Sequence, residues 1–262
     1  MDFVKSFDWN ANLLDQFLIG VDVDNEIKEL IGLIEYRPDM LAEGIFQIAN
    51  IEDPFRGILT FGASTHPNTT RLIGVALQMA VVAEFYYKRL YARPRPSQIS
   101  PALMPPIDPP SHAAFPSGHA TESMIVALTL QVFMPDLSVQ HLDKLGVAQS
   151  DRRDPLLDMA HRIARNREII GLHYPSDSRA GQFLAQKVFA TLQNMEILGE
   201  LWVSAKKNGS APRYGSNFRR LQSLRHICKV PTAKEKESPD LAFAGRPRAS
   251  SGPFHGPRLP GW

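Results

Sequence analysis

With 262 residues, 44% hydrophobic content and a mean hydropathy of -0.19, the chain is long enough for one large or two small soluble domains with a sizeable core. Its most apolar window, Leu72 to Ala83, contains Gln78 and runs into Glu84 and Lys88, too short and interrupted to span a bilayer; the N-terminus has no basic segment followed by an apolar one, so no secretory signal is expected and a cytosolic location fits. A single cysteine, Cys228, excludes an intrachain disulfide and a cysteine-built zinc site, and the net charge of +2 divides into -7 for residues 1–203 (17 Lys+Arg, 24 Asp+Glu) and +9 for residues 204–262 (12 against 3).

Along the first fifty residues, Asp24-Asn25 predicts the cap of a helix from Glu26 to Glu35, and Arg37-Pro38-Asp39 opens a second from Met40 to Ala49. Asn68-Thr69-Thr70 predicts the start of the most apolar helix, about Arg71 to Tyr91. Its Leu72, Val75, Met79, Val82 and Tyr86 fall at helical spacing, with Ile73, Ala76, Ala80 and Ala83 on neighbouring faces. Two prolines in Arg93-Pro94-Arg95-Pro96 stop that helix and force an extended path. Lys88 and both arginines can be read as solvated end charges, the preferred reading for Arg93. Residues 97 to 116 hold six prolines, and a loop so long is usually functional or disordered; His112 within it, taken alone, is a surface histidine.

Ser117 precedes a helical stretch, Ala120 to Phe133, and reads as its N-cap, with Gly118 and His119 in the first turn. A helix start offers unpaired amides and the positive end of the macrodipole to an anion, and an imidazole there could exchange a proton with it. Taken alone, Ser-Gly before a helix is ordinary capping. A polar connection follows, Asp136 to Asp154, then a helix from Leu156 to Ile170 with Met159, Ile163, Ile169 and Ile170 inward, broken at Gly171. Arginines on such a helix, here Arg162, Arg165 and Arg167, are mostly solvated. Ser176 or Asp177 caps a last helix, Arg179 to Leu201. With no strand alternation and no internal repeat, residues 1–203 read as an all-α catalytic domain, and 204–262 as a basic Pro/Gly/Ser-rich tail, more readily a solvated extension than a nucleic-acid or lipid contact.

Three blocks stand out together. Lys88 and Arg95-Pro96 form K-x6-R-P, residues 116 to 119 form P-S-G-H, and Arg167, His173 and Asp177 form R-x5-H-x3-D. In order and spacing they resemble the signature of the phosphatidic acid phosphatase type 2 and vanadium haloperoxidase superfamily, over about Lys88 to Gly181. Ten residues fixed at about 5% usage each match by chance about once in 10^13 placements, so coincidence explains them poorly. The resemblance implies a helical bundle of the acid phosphatase/haloperoxidase type. It also implies an oxyanion site in which Lys88, Arg95 and Arg167 supply cations, and Ser117 and the Gly118 amide supply neutral donors, to a five-coordinate phosphoryl or vanadate group. His173 would be the nucleophile to phosphorus or the ligand to vanadium, Asp177 would orient its ring, and His119 would act as acid or base on the opposite side. The family pattern has Ser where this chain has Asn166, which bears on how Arg167 is oriented. No His pair stands at i, i+4 beside a glutamate, so zinc is not indicated.

Within the superfamily, the lipid phosphatases are polytopic and the soluble acid phosphatases generally exported. The run Pro110 to His119 resembles the haloperoxidases more closely, with His112 where bromoperoxidases carry a histidine beside the metal and Phe85 where those enzymes often have Trp. The expected activity is a vanadate-dependent oxidation of halide by hydrogen peroxide. The alternative is an acid phosphatase working through a phosphohistidine and needing no cofactor. A third reading is an inactive scaffold whose basic tail binds nucleic acid, marked by steeply salt-dependent binding.

Overall fold

In the computed structural model, which describes residues 2–133 and 154–209, every regular element among the described residues is helical, so the chain adopts the all-α class expected. The polar connection, but for Asp154, and nearly all of the basic tail lie outside the described residues.

Local chemistry sets most boundaries. Helices α1 (Asp2–Ser6), α2 (Val23–Gly32), α3 (Arg37–Ala49) and α4 (Asp53–Ile58) come first. α2 begins two to three residues before the expected start, because Asp22 rather than Asp24 is the cap: its carboxylate accepts from the amides of Asp24 and Asn25. α5 (Pro67–Tyr91) also starts early. Proline at its first position needs no amide partner, so the expected cap Asn68-Thr69-Thr70 lies inside the helix, where the Thr70 hydroxyl donates back to the His66 carbonyl. After α6 (Pro96–Ile99) come the long loop and α7 (Gly118–Phe133), then α8 (Pro155–Ile169), α9 (Pro175–Gln193) and α10 (Gly199–Gly209). α8 is capped by the Asp154 carboxylate on the amides of Leu156 and Leu157 and is closed by Gly171 at φ 85°. The helix expected from Arg179 to Leu201 is two: α9, which begins at Pro175 so that Ser176 and Asp177 fall in its first turn, and α10, which continues through residue 203 to Gly209.

α7 is the helix around which the bundle is assembled. Eleven of its sixteen residues are buried, on all sides, and it packs against α5, α8 and α9. α5 meets it with its small residues. Ile73, Ala76, Ala80 and Ala83 are buried with Leu72 and Tyr87, whereas Val82 is 45% and Tyr86 38% exposed. The alanines let the two axes approach closely, and the bulkier residues turn to the rim. Where α9 crosses the start of α7 the fit is tighter still: an ideal Cβ on Gly181 would stand 2.5 Å from the Ser117 carbonyl oxygen.

Candidate functional site

The turn before α7 is fixed by main-chain bonds. Ser117 N donates to the Asp177 carbonyl at 3.0 Å, and the Ser117 carbonyl accepts from Thr121 N and Oγ1. Ser117 is an N-cap as expected, with Oγ accepting from Ala120 N at 3.4 Å. The Phe115–Pro116 peptide is cis. Lys88, near the end of α5, donates from Nζ to the carbonyls of Pro116 (2.5 Å) and Ala113 (3.3 Å), which ties the first block to the second. Its burial pushes the ammonium down to about 8, against the opposing pull of Glu84 one turn earlier.

Arg95 joins the loop to the third block. Its Nε donates to the His112 carbonyl (3.1 Å), Nη2 to His112 Nδ1 (3.1 Å), and Nη1 both to the Leu172 carbonyl (2.9 Å) and to His173 Nε2 (3.0 Å). A guanidinium only donates, so His173 carries its proton on Nδ1, facing Asp177 Oδ2 at 3.3 Å, and keeps a lone pair on Nε2. Burial, reinforced by Arg95 and Lys88, holds His173 well below the ordinary histidine range, so the ring is neutral. Asp177 is pushed up to about 6 by burial, although Arg93 works against this. It also accepts the Tyr174 amide at 3.0 Å, closing the first turn of α9.

His119 lies half-buried in the first turn of α7. Burial and then the charge of Arg167 push it down to about 3, and its Nε2 has no hydrogen-bond partner among the described residues. Arg167 is 1% exposed. Its Nη2 donates to the Gly44 carbonyl of α3 and more weakly to Gln47 Oε1, while Nε and Nη1 have no partner among the described residues. Burial lowers this guanidinium to about 10. Asn166 does not face the pocket: its Nδ2 donates to Glu43 Oε1 (3.1 Å) and Gln47 Oε1 (3.2 Å), so α3 holds both residues of the Asn166-Arg167 pair. His112 is half-buried rather than a free surface group, with Phe85 edge-on to its ring at 5.2 Å between centroids. Burial lowers its pKa.

Hydrogen bonds thus link Lys88, Arg95, His112, Ser117, His173 and Asp177 into one assembly. Gly118 and His119 follow Ser117 in the first turn of α7, whereas the hydrogen bonds of Arg167 go to Gly44 and Gln47 of α3 and none among the described residues joins it to the assembly. Arg162 and Arg165 remain surface groups, paired with Glu43 and with Glu29 and Glu168. Beside the assembly a cavity of about 310 Å3 is lined by Lys88, Arg89, Arg93, Arg95, Gln98 and His112.

The solvated-end-charge reading of Arg93 is overturned. Its guanidinium bonds Asp177 Oδ1 (2.7 Å), Ser176 Oγ (2.6 Å) and Glu26 Oε2 (2.8 Å), and lies over the Tyr174 ring at 3.7 Å. Glu26 completes the frame by accepting the Ser176 amide and hydroxyl. Nothing in the sequence ties residue 26 to residue 176. Glu84 and Glu122 were also passed over. Glu84 is 3% exposed, and burial, then Glu122, pushes its carboxyl up to about 8; burial raises Glu122 as well. A glutamate one turn before Lys88 on the most apolar helix was the available signal.

The donor set suits a tetrahedral oxyanion. Buried N–H groups of Arg167 are left over by the protein's own hydrogen bonds, and each is the kind of group an anion's oxygens engage. Among the described residues no group of three or more His, Cys, Asp or Glu side chains is arranged to hold a metal cation. No helix among them is long and apolar enough to cross a membrane. No protein-family model matches the chain, and no curated protein matches it.

Proposed function

We propose that the chain is an oxyanion-site enzyme of the superfamily its three blocks resemble, acting as a vanadate-dependent haloperoxidase on halide and hydrogen peroxide. The observation that carries this reading is the Arg95–His173–Asp177 relay, which leaves a buried, neutral imidazole with its Nε2 lone pair directed at a cationic donor. Nε2 is then the ligating atom, and Arg95 Nη1 has the Leu172 carbonyl to retain when it gives Nε2 up. Lys88, Arg95, Arg167, Ser117 and the Gly118 amide would hold the vanadate oxygens. Bound vanadate would supply Lewis-acid activation of peroxide. His119, neutral down to about pH 3, can accept a proton from peroxide and return it to a leaving oxygen. His112, held by Arg95 with the Phe85 ring edge-on to it, is the residue that would meet the halide.

The same lone pair supports the second reading, an acid phosphatase in which His173 Nε2 attacks phosphorus. There His119 must carry a proton for the leaving alkoxide, and a bound dianion would raise its pKa toward that role. A paired assay separates the two. Bromination that needs both vanadate and peroxide, and is abolished in His173→Ala, supports the peroxidase. Brisk hydrolysis of a phosphomonoester without vanadate, with no bromination at any vanadate concentration, overturns it in favour of the phosphatase.

A further inference from the structure

Glu84 is a buried acid that neither reaction uses. It stands one helical turn before Lys88 on α5, 3% exposed, and its Oε2 has no hydrogen-bond partner among the described residues. Both carboxylate oxygens press on Gly118, where an ideal Cβ would come within 2.9 Å of each. Gly118 is the residue whose amide would be offered to the oxyanion on the proposed reading, so the acid packs against the Cα of a residue of that site. The charged groups acting on it are Glu122 from α7, Lys88 from its own helix and Arg95 from the loop. Asp177 from α9 and His119 from α7 act on the same cluster through Lys88 and His173. An ionised Glu84 would neutralise Lys88 and repel an incoming dianion. A neutral carboxyl leaves the cations unopposed and has a hydroxyl to offer.

We infer that Glu84 is a proton-carrying member of the oxyanion site, so that the pocket takes up a tetrahedral dianion together with one proton held on the Glu84 carboxyl. This rests on the oxyanion reading of the site, but not on whether peroxidase or phosphatase chemistry follows. The ligand-free acid already titrates at about 8 through burial, and a dianion beside it moves the titration higher still. Below that range the carboxyl is protonated in advance and binding is indifferent to pH. Above it each binding event must draw a proton from solution, and affinity falls about tenfold per pH unit.

The test uses the full chain and sulfate, a tetrahedral anion that stays doubly charged throughout this range. Sulfate-induced infrared difference spectra are recorded just above pH 8, beside sulfate affinity as a function of pH. In the wild-type protein a protonated-carboxyl C=O band should grow on sulfate addition, and this band is the deciding readout, because affinity should fall by at least about tenfold per pH unit above 8 with Lys88 losing its charge over the same range. The band should be missing from Glu84→Gln and retained in Glu122→Gln. Sulfate binding without the band, or a band that survives in Glu84→Gln, overturns the assignment while leaving the oxyanion site standing. If Glu84→Gln does not fold, loss of the band in Glu122→Gln overturns it instead. A wild-type protein that binds neither sulfate nor phosphate at any pH overturns the oxyanion site itself, and this inference with it.

Discussion

The two site imidazoles differ in what holds them. His173 is fixed on both nitrogens, by Arg95 and by Asp177, whereas His119 Nε2 has no protein partner among the described residues. His173→Ala is therefore expected to remove oxyanion binding and activity together. His119→Ala should retain binding within a few-fold and lower turnover by about 10^2-fold or more. Vanadate or phosphate titration of the two variants checks this, and equal loss of binding in both would contradict the division of roles. Arg93→Ala should cost about 3–5 kcal/mol, because it leaves the Glu26 and Asp177 carboxylates buried without their cation. Denaturant unfolding measures the cost directly. These residues also mark how far the sequence could be read. Motif spacing pointed to Lys88, Arg95, Ser117, His173 and Asp177, which hydrogen bonds do link. It gave Arg93 the wrong role because burial of a charge next to prolines depends on Glu26, distant in the chain. The position of Asn166 beside Arg167 raised the question of orientation, but only its contacts with Glu43 and Gln47 on α3 answer it.

Among the elements, those bounded by strong local chemistry were readable and those bounded by packing were not. Gly171 ends α8 where expected, since only the left-handed turn remains open there, and Ser117 caps α7 as expected. α5 starts at Pro67 instead of at the threonines, and its buried face includes the alanine row. The closest approach of all occurs where α9 meets the start of α7. Gly181→Ala inserts a methyl group against the Ser117 carbonyl, a backbone atom that cannot rotate away, and should destabilise the fold by about 1–3 kcal/mol. Because the displaced atom belongs to the turn proposed to bind the anion, sulfate affinity should fall with the denaturation midpoint. A variant with unchanged midpoint and affinity would mean that the helices part without strain.

At the scale of the whole molecule, buried ionisable groups shape how stability depends on pH. Glu84 has its folded pKa raised from 4.5 to about 8, so its contribution is complete below 4.5 and is lost as pH rises through 8. His119 and His173 are depressed below 6.5, so theirs is complete above 6.5 and is lost as pH falls. Between about 7 and 7.5 the histidines are largely neutral whether the chain is folded or not, Lys88, depressed to about 8, still holds most of its proton, and loss of the Glu84 contribution leads to declining stability. Denaturation midpoints in that window should fall with pH in the wild-type protein and flatten in Glu84→Gln; a parallel decline in both would contradict this. The bond from Ser117 N to the Asp177 carbonyl carries a different implication. The segments bearing the two rings share a main-chain clamp that survives exchange of the surrounding side chains. A library randomised at the half-exposed position 85 would then explore new reactivities without removing any hydrogen bond that holds the site, which makes this scaffold a candidate for laboratory evolution.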